Sequence, residues 1–580
     1  MKLTDVFATL LKKLKVKHVF GLQGGAVVHF FDSLEKKKIK VTYTNHEQSA
    51  ALAGVSYAKS TENIGCVIVT TGPGSTNAIT GLLAAWQDSV PCLFISGQSR
   101  SNHVSYGKKV RQVGTQEVNI CDIVKPITKY TKFVKKKENF VDEVLKATKI
   151  AISGRPGPVW LDIPLEIQWS DIKNRKININ LNKKIVKKNK NFSKFKKSLK
   201  LFKEAKKPLL ILGFGVRNSF ENLSNLKKLV YRKKIPFVTT WNGADLFSTD
   251  DQFNLGILGM SGQRGANKAV FESDLLICLG THLSIPHTTT LYKNYAPNSK
   301  KIIIDIDQDQ LKNLNVKFDL KINDDLKKFV NWLINKNIST YKWSNLEELK
   351  KMNWYLQKKI KYPNSNIFIR NLTKQIKEKF CLVVDGGGTA LYAGFQSPII
   401  KPQDRIICSS SISSMGSGLA ETIGAIKSKN FKKIICIIGD GSFLMNIQDL
   451  QTIFQDKINV SIILINNNGY LAIRNTQKEF LNRRYFGTHP KGNLTMPSFR
   501  KLAKAFKINY LKVNNPNKMQ KAIDYIKKTN KPNICEIFVD ENQETLFKQG
   551  YAKDENGTFT PQPLSEMYPF IGTPIANTNN

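Results

Sequence analysis

The stretch that decides the fold is Ile434-Ile435-Cys436-Ile437-Ile438-Gly439-Asp440-Gly441-Ser442. Its unbroken apolar run predicts a strand buried on both faces of a parallel sheet, and the Gly-Asp-Gly places backbone amides and an acid where that strand ends. A second apolar run, residues 460–465, ends in Asn466-Asn467-Asn468-Gly469. Open α/β sheets bind ligands at the carboxyl ends of their strands, so we expect both motifs at one ligand-binding edge.

These two strand ends carry the oxygen ligands that Mg²⁺ prefers. Asp440 offers a carboxylate, and the Asn pair that ends the second run offers a side-chain oxygen beside a main-chain carbonyl, which suit a Mg²⁺ that also binds phosphate oxygens. The amides of Gly441 and Ser442 lie where a helix N-terminus would meet a diphosphate. Taken singly, a Gly-Asp-Gly is more often a turn and an Asn-Asn-Asn-Gly a loop, so the prediction depends on the pair.

The same alternation of short apolar runs and helical patterns continues along the chain, and it predicts an α/β fold of three doubly wound parallel sheets. With 580 residues, the chain is too long for one hydrophobic core. We predict a first domain over residues 1–170, a central domain over 196–336 and a third domain over 366–545, with linkers over 171–195 and 337–365 and a C-terminal tail or lid over 546–580.

The charge of the chain is its strongest compositional feature. The 89 Lys and Arg exceed the 45 Asp and Glu by 44, a surplus that raises nucleic acid or an anionic membrane as a partner. Residues 171–200 hold twelve Lys or Arg and one acid, but only Phe192 and Phe195 could stack on bases, which favours a solvated linker over a nucleic-acid site. We attribute the surplus to compositional drift, because Lys, Asn and Ile are enriched together in proteins of AT-rich genomes. The charge can still steer anionic substrates.

Several classes of protein are excluded by local patterns. The apolar runs are far shorter than a membrane span requires. The first five residues already include an acid and several lysines follow, so no signal peptide is indicated. The eight cysteines are scattered without a C-x-x-C pair, which predicts reduced core cysteines of a cytoplasmic protein rather than a zinc site or disulfides.

The first block of the chain contains a second candidate site. Thr44-Asn45-His46-Glu47-Gln48-Ser49-Ala50-Ala51 follows a predicted strand and opens an Ala-rich helix. Gly72-Pro73-Gly74-Ser75-Thr76-Asn77 follows the next strand. By itself Glu47 is a common feature, an acid in a first helical turn where the helix dipole stabilises it.

Together the motifs of the two blocks resemble those of the thiamine-diphosphate enzyme superfamily. The resemblance implies that thiamine diphosphate is bound through Mg²⁺, with Asp440, Asn467 and the Gly469 carbonyl as metal ligands. It also implies that Glu47 lies against N1′ of the aminopyrimidine. Sharing a proton there favours the imino tautomer, whose 4′ nitrogen removes the C2 proton of the thiazolium.

Further segments narrow the resemblance to the acetolactate synthase group, and it extends over nearly the whole chain in the order pyrimidine-binding, central and diphosphate-binding domain. These segments are residues 19–26, 71–77, 154–159 and 414–419. In that group Met415 would bend the cofactor into its V shape, and Gln116 would orient the substrate. The resemblance implies the following cofactor-binding residues: Gly24, Gly25, Pro73, Asn77, Met415, Gly416, Gly439, Gly441, Ser442, Asn467 and Tyr470.

The chain departs from that group at positions that affect the acceptor. Acetolactate synthases usually have a lysine where this chain reads Asp162-Ile163-Pro164-Leu165, and residues 280–287, Gly-Thr-His-Leu-Ser-Ile-Pro-His, lack the arginine that meets the carboxylate of a second 2-oxo acid. Tyr470, Ala472 and Thr476 replace Met and Trp residues that shape acceptor choice. A bidentate carboxylate clamp is not reproduced by proline or histidine, which argues against a 2-oxo acid as acceptor.

Residues 468–477 resemble acetolactate-synthase-like proteins linked to surface-sugar biosynthesis, and a keto-sugar acceptor fits the missing arginine. The resemblance leaves FAD open in the central domain, where Gly213-Phe214-Gly215 falls short of a full G-x-G-x-x-G because residue 218 is Asn. His282 or His287 could partly replace the arginine, although a lone loop histidine is more often structural.

The favoured hypothesis is a cytoplasmic carboligase that decarboxylates a 2-oxo acid, pyruvate first, and transfers the two-carbon unit to a second carbonyl, on a 2-oxo acid or a keto-sugar. The alternative is a 2-oxo acid decarboxylase or a C–C hydrolase without carboligation, and a nucleic-acid-binding protein is the least favoured hypothesis. Because the two motifs lie on separate domains, the family pattern predicts a homodimer or tetramer with shared active sites.

Overall fold

Three six-stranded parallel sheets form the frame of the protein, as the sequence predicts. The computed structural model describes residues 1–171, 191–220, 223–354, 361–553 and 559–570. The strands are β1 (His18–Gly21), β2 (Lys40–Tyr43), β3 (Gly65–Val69), β4 (Cys92–Gln98), β5 (Tyr130–Phe133), β6 (Val159–Pro164), β7 (Pro208–Leu212), β8 (Phe237–Thr239), β9 (Asn254–Ile257), β10 (Leu275–Leu279), β11 (Lys300–Asp305), β12 (Leu320–Asn323), β13 (Phe380–Val384), β14 (Arg405–Ile407), β15 (Lys433–Gly439), β16 (Val460–Asn466), β17 (Asn509–Val513), β18 (Asn533–Phe538), β19 (Lys548–Gln549), β20 (Tyr551–Lys553), β21 (Phe559–Pro561) and β22 (Met567–Tyr568).

Helices cover the faces of each sheet. They are α1 (Leu3–Lys13), α2 (Val28–Lys36), α3 (Glu47–Thr61), α4 (Pro73–Asn77), α5 (Ile79–Gln87), α6 (Ile120–Val124), α7 (Phe140–Ile152), α8 (Leu165–Trp169), α9 (Phe192–Glu204), α10 (Gly215–Ser219), α11 (Ser224–Lys233), α12 (Arg264–Glu272), α13 (Ile285–Thr288), α14 (Gln308–Lys312), α15 (Leu326–Ile334), α16 (Leu346–Lys351), α17 (Ser365–Gln375), α18 (Gly388–Gln396), α19 (Ser417–Lys427), α20 (Asp440–Phe443), α21 (Asp449–Gln455), α22 (Leu471–Phe480), α23 (Phe499–Ala505) and α24 (Met519–Lys528).

The strand orders show how the sheets are related. The first sheet has the order β2-β1-β3-β4-β6-β5, and the third repeats it as β14-β13-β15-β16-β18-β17. The second sheet has the order β9-β8-β7-β10-β11-β12, which is the 3-2-1-4-5-6 arrangement of dinucleotide-binding folds. In all three, ligands are expected at the carboxyl ends of the strands, where the strand order reverses.

The first and third domains pack through helices α3 and α19. Ser56 Oγ donates a hydrogen bond of 2.6 Å to the Glu421 carbonyl. Gly424 faces the carbonyl of Ala53 so closely that a Cβ would lie 2.0 Å from its oxygen, and the absence of a side chain is what permits this approach. One apolar cluster contains buried residues of both domains, so the interface is continuous with the cores behind it.

Asp245 joins all three domains. Its carboxylate accepts a hydrogen bond of 2.7 Å from Arg217 Nη2 in the central domain, and it accepts others from Arg405 Nη1 and the Ile406 amide in the third domain. Arg217 also donates to Glu62 at the end of α3 in the first domain. Burial alone would raise the pKa of Asp245, but the two guanidinium groups outweigh it and hold that pKa below its usual value.

The predicted linkers and tail contain packed segments. Tyr341, Trp343 and Leu349, between the central and third sheets in sequence, are buried against the central sheet. In the tail, Phe547 and Met567 are buried, and Gln396 Nε2 donates 2.7 Å to the Phe547 carbonyl. Of the predicted linkers and tail, residues 172–190, 355–360, 554–558 and 571–580 lie outside the described residues.

None of the described helices combines the length and the apolar character that a membrane span requires. All eight cysteines are buried in the cores, where burial raises the pKa of their thiols, for Cys92 and Cys535 to about 12.

Replacing Asp245 by asparagine should destabilise the chain, because Arg405 would lose the carboxylate that it pairs with and Arg217 would keep only Glu62. Removing one partner of a buried ion pair costs about 3–5 kcal/mol. The carboxylate has a lowered folded-state pKa, so its contribution is complete above the unfolded-state pKa and is lost as the pH falls through the folded-state pKa. The difference between wild type and Asp245→Asn should therefore shrink in acid, measured as unfolding midpoints at neutral pH and below pH ~4.

Asp309→Asn is the matched control for this change, since Asp309 is largely exposed and pairs only with the exposed Lys312. Its unfolding midpoint should stay close to that of the wild type. Equal stability of Asp245→Asn and Asp309→Asn at neutral pH would contradict the structural role of Asp245.

Candidate active site

The third sheet brings three strand ends to one edge. Strands β13, β15 and β16 are neighbours, and they are followed by Asp385–Thr389, Gly439–Ser442 and Asn467–Gly469. The two motifs that the sequence placed at this edge are indeed together. The Asp385–Thr389 segment is an addition, and its sequence signal was the Asp385-Gly386-Gly387-Gly388 run after an apolar strand.

Asp440 ties the ends of β15 and β16 together. Its Oδ1 accepts a hydrogen bond of 2.8 Å from the Gly441 amide, and its Oδ2 accepts 3.1 Å from the Asn467 amide and 2.9 Å from the Gly469 amide. Only 1% of the residue is exposed. Burial raises the pKa of Asp440 to about 6, while the three amides act in the opposite direction.

Asn467 points an unsatisfied oxygen into this edge. Its Nδ2 donates 3.0 Å to Thr389 Oγ1, which fixes the orientation of the amide, and its buried Oδ1 has no hydrogen-bond partner among the described residues. A buried acceptor without a partner costs about 1–3 kcal/mol. A cation beside Asp440 would satisfy it, so the donor set fits a divalent ion with oxygen ligands.

The same edge carries the glycines that a diphosphate would approach. Gly439 has open space where a Cβ would stand, whereas a Cβ on Gly441 would lie 2.0 Å from the ring of Tyr470. Ser442 packs against Gly387, where a Cβ would lie 2.2 Å from its Oγ. The ring of Tyr470 therefore packs directly against the Gly-Asp-Gly turn.

Asp385 connects the loop that follows β13 to the start of α19 at this edge. It is fully buried, burial raises its pKa, and it accepts hydrogen bonds from the amides of Gly387 at 2.9 Å and Gly418 at 3.0 Å. Gly418 lies in the first turn of α19, three residues after the half-buried Met415 and two after Gly416, whose φ of +81° is in the left-handed region. The carboxylate therefore links the β13 loop to the Met415-Gly416 turn.

The first sheet forms a second edge around Glu47. Glu47 is the first residue of α3, only 7% exposed, and its Oε2 accepts 3.0 Å from Asn77 Nδ2. His46 caps the helix, since its Nδ1 accepts from the Gln48 amide. Pro73 begins α4, whose last residue is Asn77, so the structure brings the predicted Glu47, Pro73 and Asn77 together.

Gly24 and Gly25 follow β1 at this edge. A Cβ on Gly24 would lie 2.6 Å from Thr70 Cβ at the end of β3, so the glycine allows the two loops to touch. Gly25 has open space around it. Thr70 is also the nearest neighbour of a Cβ on Gly74, so Gly24 lies beside the turn that contains Pro73.

Gln116 reaches the same turn from a different loop. Its carbonyl oxygen would lie 2.4 Å from a Cβ on Gly72, a residue with φ of +63° that therefore suits glycine alone. Gln116 itself has φ of +58° and an exposed side chain. The structure thus places this predicted residue beside the Gly72–Asn77 turn.

Among the described residues of one chain, no hydrogen bond of the three predicted polar residues joins the two edges. The hydrogen bonds of Glu47, Asp440 and Asn467 all go to residues of their own domain in the described part of the chain. Asn45, two residues before Glu47, instead donates 3.3 Å to the Gln448 carbonyl just before α21.

A cavity of about 780 Å³ lies where the three domains meet, at the strand-order reversal of the central sheet. Its lining includes Arg155, which donates 3.2 Å to Asp307, and the two histidines His282 and His287. Burial lowers the pKa of His282 to about 4 and that of His287 to about 3, so both are neutral at pH 7.

The Gly213-Phe214-Gly215 motif lies at this reversal but is closed. The Gly213 amide donates 2.9 Å to the Leu279 carbonyl and the Gly215 amide donates 3.0 Å to the Gly280 carbonyl. A Cβ on Gly213 would lie 2.3 Å from the Gly280 oxygen. These glycines serve close chain packing, so their amides are not free for the pyrophosphate of a dinucleotide.

Family models match in three parts of the chain. The N-terminal TPP binding domain of thiamine pyrophosphate enzymes matches residues 1–123, the central domain residues 195–333, and the C-terminal TPP binding domain residues 386–537. Each of these matches covers most of one of the three sheets, and the third begins at the Asp385–Thr389 strand end.

Curated relatives are similar over their full length. The acetolactate synthase large subunit of Haemophilus influenzae is 31% identical over 94% of this chain and 96% of its own. That of Pyropia yezoensis is 32% identical over 100% and 98%, and the isozyme 2 large subunit of Escherichia coli is 29% identical over 92% and 94%. The chain therefore belongs to the thiamine-pyrophosphate enzymes, in the family of the acetolactate synthase large subunits.

Proposed function

We propose that this protein is a thiamine-diphosphate- and Mg²⁺-dependent carboligase. It decarboxylates a 2-oxo acid, for which pyruvate is the first candidate, and transfers the two-carbon unit to a second carbonyl. The observation that carries the proposal is the pairing of two edges: Asn467 Oδ1, buried and unsatisfied beside Asp440, and Glu47, buried and held by Asn77. When bound, thiamine diphosphate supplies the electron sink for loss of CO₂.

The third-domain edge would hold the diphosphate and its metal. Asp440, Asn467 Oδ1 and the Gly469 carbonyl would ligate Mg²⁺, with phosphate oxygens completing the shell. Gly439 leaves open space for a phosphate, and the amides at the start of α20 offer it donors. Tyr470, over Gly441, would close this side of the site.

The first-domain edge would hold the aminopyrimidine. Glu47 would share a proton with N1′, and its burial in a pocket with Asn77 favours a directed hydrogen bond over solvation by water. Met415, with Gly416, would set the bend between the two rings, and Gln116, exposed beside Gly72, would orient the 2-oxo acid.

The acceptor is proposed to lack a carboxylate next to its carbonyl, as a keto-sugar does. The family arginine is missing, and the histidines at its segment, His282 and His287, are partly buried in the cavity lining and neutral at pH 7. Neither supplies the charge of a carboxylate clamp. A 2-oxo acid as acceptor, as the name acetolactate synthase implies for the relatives, is the second candidate.

The central cavity is proposed to bind a nucleotide, with FAD as one candidate. Its volume and its place at the strand-order reversal support this, and its lining includes two cationic side chains, Lys129 and Arg155, of which Arg155 is paired with Asp307. The closed Gly213-Phe214-Gly215 turn opposes a flavin dinucleotide held in the usual way. Absorbance of the purified protein distinguishes a flavin from a plain nucleotide.

Exchange of Glu47 for glutamine should lower the rate of CO₂ release from pyruvate at least about 100-fold, because the amide cannot share a proton with the pyrimidine nitrogen. Binding of thiamine diphosphate, followed by fluorescence or calorimetry, should remain. The wild-type product decides the subclass: a 2-hydroxy ketone shows carboligation, whereas a free aldehyde shows simple decarboxylation. Retained turnover in Glu47→Gln would refute the assignment.

Two chains are proposed to share each site, because the Glu47 and Asp440 motifs lie on separate domains and the family pattern is a site shared across a subunit interface. Glu47→Gln and Asn467→Ala should each be inactive, the second with weakened Mg²⁺ binding. When the two variants are mixed and allowed to exchange subunits, half of the dimers are hybrids with one intact site, so about a quarter of wild-type activity should return. A site built within one chain would leave the mixture inactive. Each variant measured alone serves as the control.

A further inference from the structure

A buried carboxylate that has no cation among its hydrogen-bond partners in the described residues lies within β6. Asp162 is fully buried; its Oδ1 accepts 2.6 Å from Ser96 Oγ, and its Oδ2 accepts 3.0 Å from Gln98 Nε2 and 2.9 Å from Tyr106 OH. Burial raises the pKa of Asp162 to about 7. None of these donors is charged, and no part of the chemistry proposed above uses this group.

Gln98 transmits the orientation that Asp162 imposes. Besides its bond to Asp162, its Nε2 donates 2.9 Å to the Val118 carbonyl, and its Oε1 accepts 2.9 Å from the Ser99 amide. The Oε1 also lies 2.8 Å from Thr71 Oγ1. All four hydrogen-bonding positions of the amide are therefore occupied, and a flipped amide would set donors against donors.

Thr71 connects this amide to the backbone of Gln116. Its hydroxyl lies 2.8 Å from Gln98 Oε1 and 3.0 Å from the Gln116 carbonyl oxygen, so one hydrogen is shared by two acceptors. Gly72, next in the chain, leaves the space that the Gln116 carbonyl occupies. The Thr71 hydroxyl therefore binds the Gln116 carbonyl, and Gly72 leaves room for it.

Gln116 needs such support, because its φ of +58° is unfavourable for a residue with a side chain. The loop that carries it, residues 104–119, has no regular secondary structure. Within the loop, Glu117 accepts hydrogen bonds from the Val113 amide and Ser105 Oγ. Gln98 and Thr71 anchor this loop to strand ends of the sheet, whereas the Gln116 side chain stays exposed.

We propose that Gln98 is a positioning residue, which together with Asp162 and Thr71 holds the Gln116 side chain in its working place without touching substrate. The inference rests on the proposed role of Gln116 in substrate orientation. Since a misplacement of about 1 Å can cost about 100-fold in rate, a buried network of this kind can decide turnover while cofactor binding is unaffected.

A double-mutant cycle tests the proposal in the full-length enzyme loaded with thiamine diphosphate and Mg²⁺. Gln98→Met removes the amide and keeps the length of the side chain; it should lower kcat by about tenfold or more in the wild-type background. In the Gln116→Ala background, the same change should cost less than about twofold, because there is no side chain left to position. Equal losses in both backgrounds overturn the proposal.

Hydrogen exchange of the peptide that spans residues 112–118 provides a readout that does not require activity. Exchange should rise in Gln98→Met and in Thr71→Val, and Thr71→Ser should restore both protection and kcat because it keeps the hydroxyl. Thr148→Val is the matched control, since its buried hydroxyl bonds only the Val144 carbonyl of its own helix. Unchanged exchange in Gln98→Met overturns the proposal, as does wild-type kcat in Gln116→Ala.

These outcomes are separable from a failure of the proposed function. Glu47→Gln and product analysis test whether the protein decarboxylates a 2-oxo acid at all, whereas hydrogen exchange tests the network in any case. An enzyme that keeps its 2-oxo acid chemistry while Gln98→Met and Gln116→Ala act additively would refute only the positioning role.

Discussion

The carboxylate of Asp245 is the interaction on which the arrangement of the three domains depends. It neutralises Arg217 of the central domain and Arg405 of the third, and Arg217 also reaches Glu62 at the end of α3. Two buried guanidinium groups would repel each other without it. With this carboxylate in place, α3, which begins at Glu47, can pack closely on α19, which begins two residues after Met415.

Both proposed halves of the site lie where parallel strands end. In the third domain, β15 ends at the Gly-Asp-Gly motif and its neighbour β16 supplies Asn467. In the first domain, Glu47 follows β2 and Asn77 follows β3, and these two strands lie on either side of β1. The central sheet has a different order, and its Gly213-Phe214-Gly215 turn is closed by packing.

Most of the inner strands could be predicted from the sequence, and most of the edge strands could not; the short inner strand β8 was not predicted either. Strands such as β15 and β16 are buried on both faces, so they read as continuous apolar runs. Strands β5, β12 and β17 lie at sheet edges, are half-exposed and mix Lys or Asn with apolar residues, so their pattern does not stand out from a loop. For the same reason Tyr341 and Trp343 were expected in a linker, although they pack on the central sheet.

The sequence by itself determined the fold class, the family resemblance and the residues with recognisable chemistry, since Glu47, Asp440 and Asn467 stand in local motifs at strand ends. Only the tertiary structure decided that Asn467 Oδ1 is left unsatisfied, that Asp385 and Thr389 support the same edge, and that Asp162, Gln98 and Thr71 lead to Gln116. Those residues come from different strands and loops, with no fixed spacing between them. Burial and hydrogen-bond partners arise when the chain packs, and no local pattern encodes them.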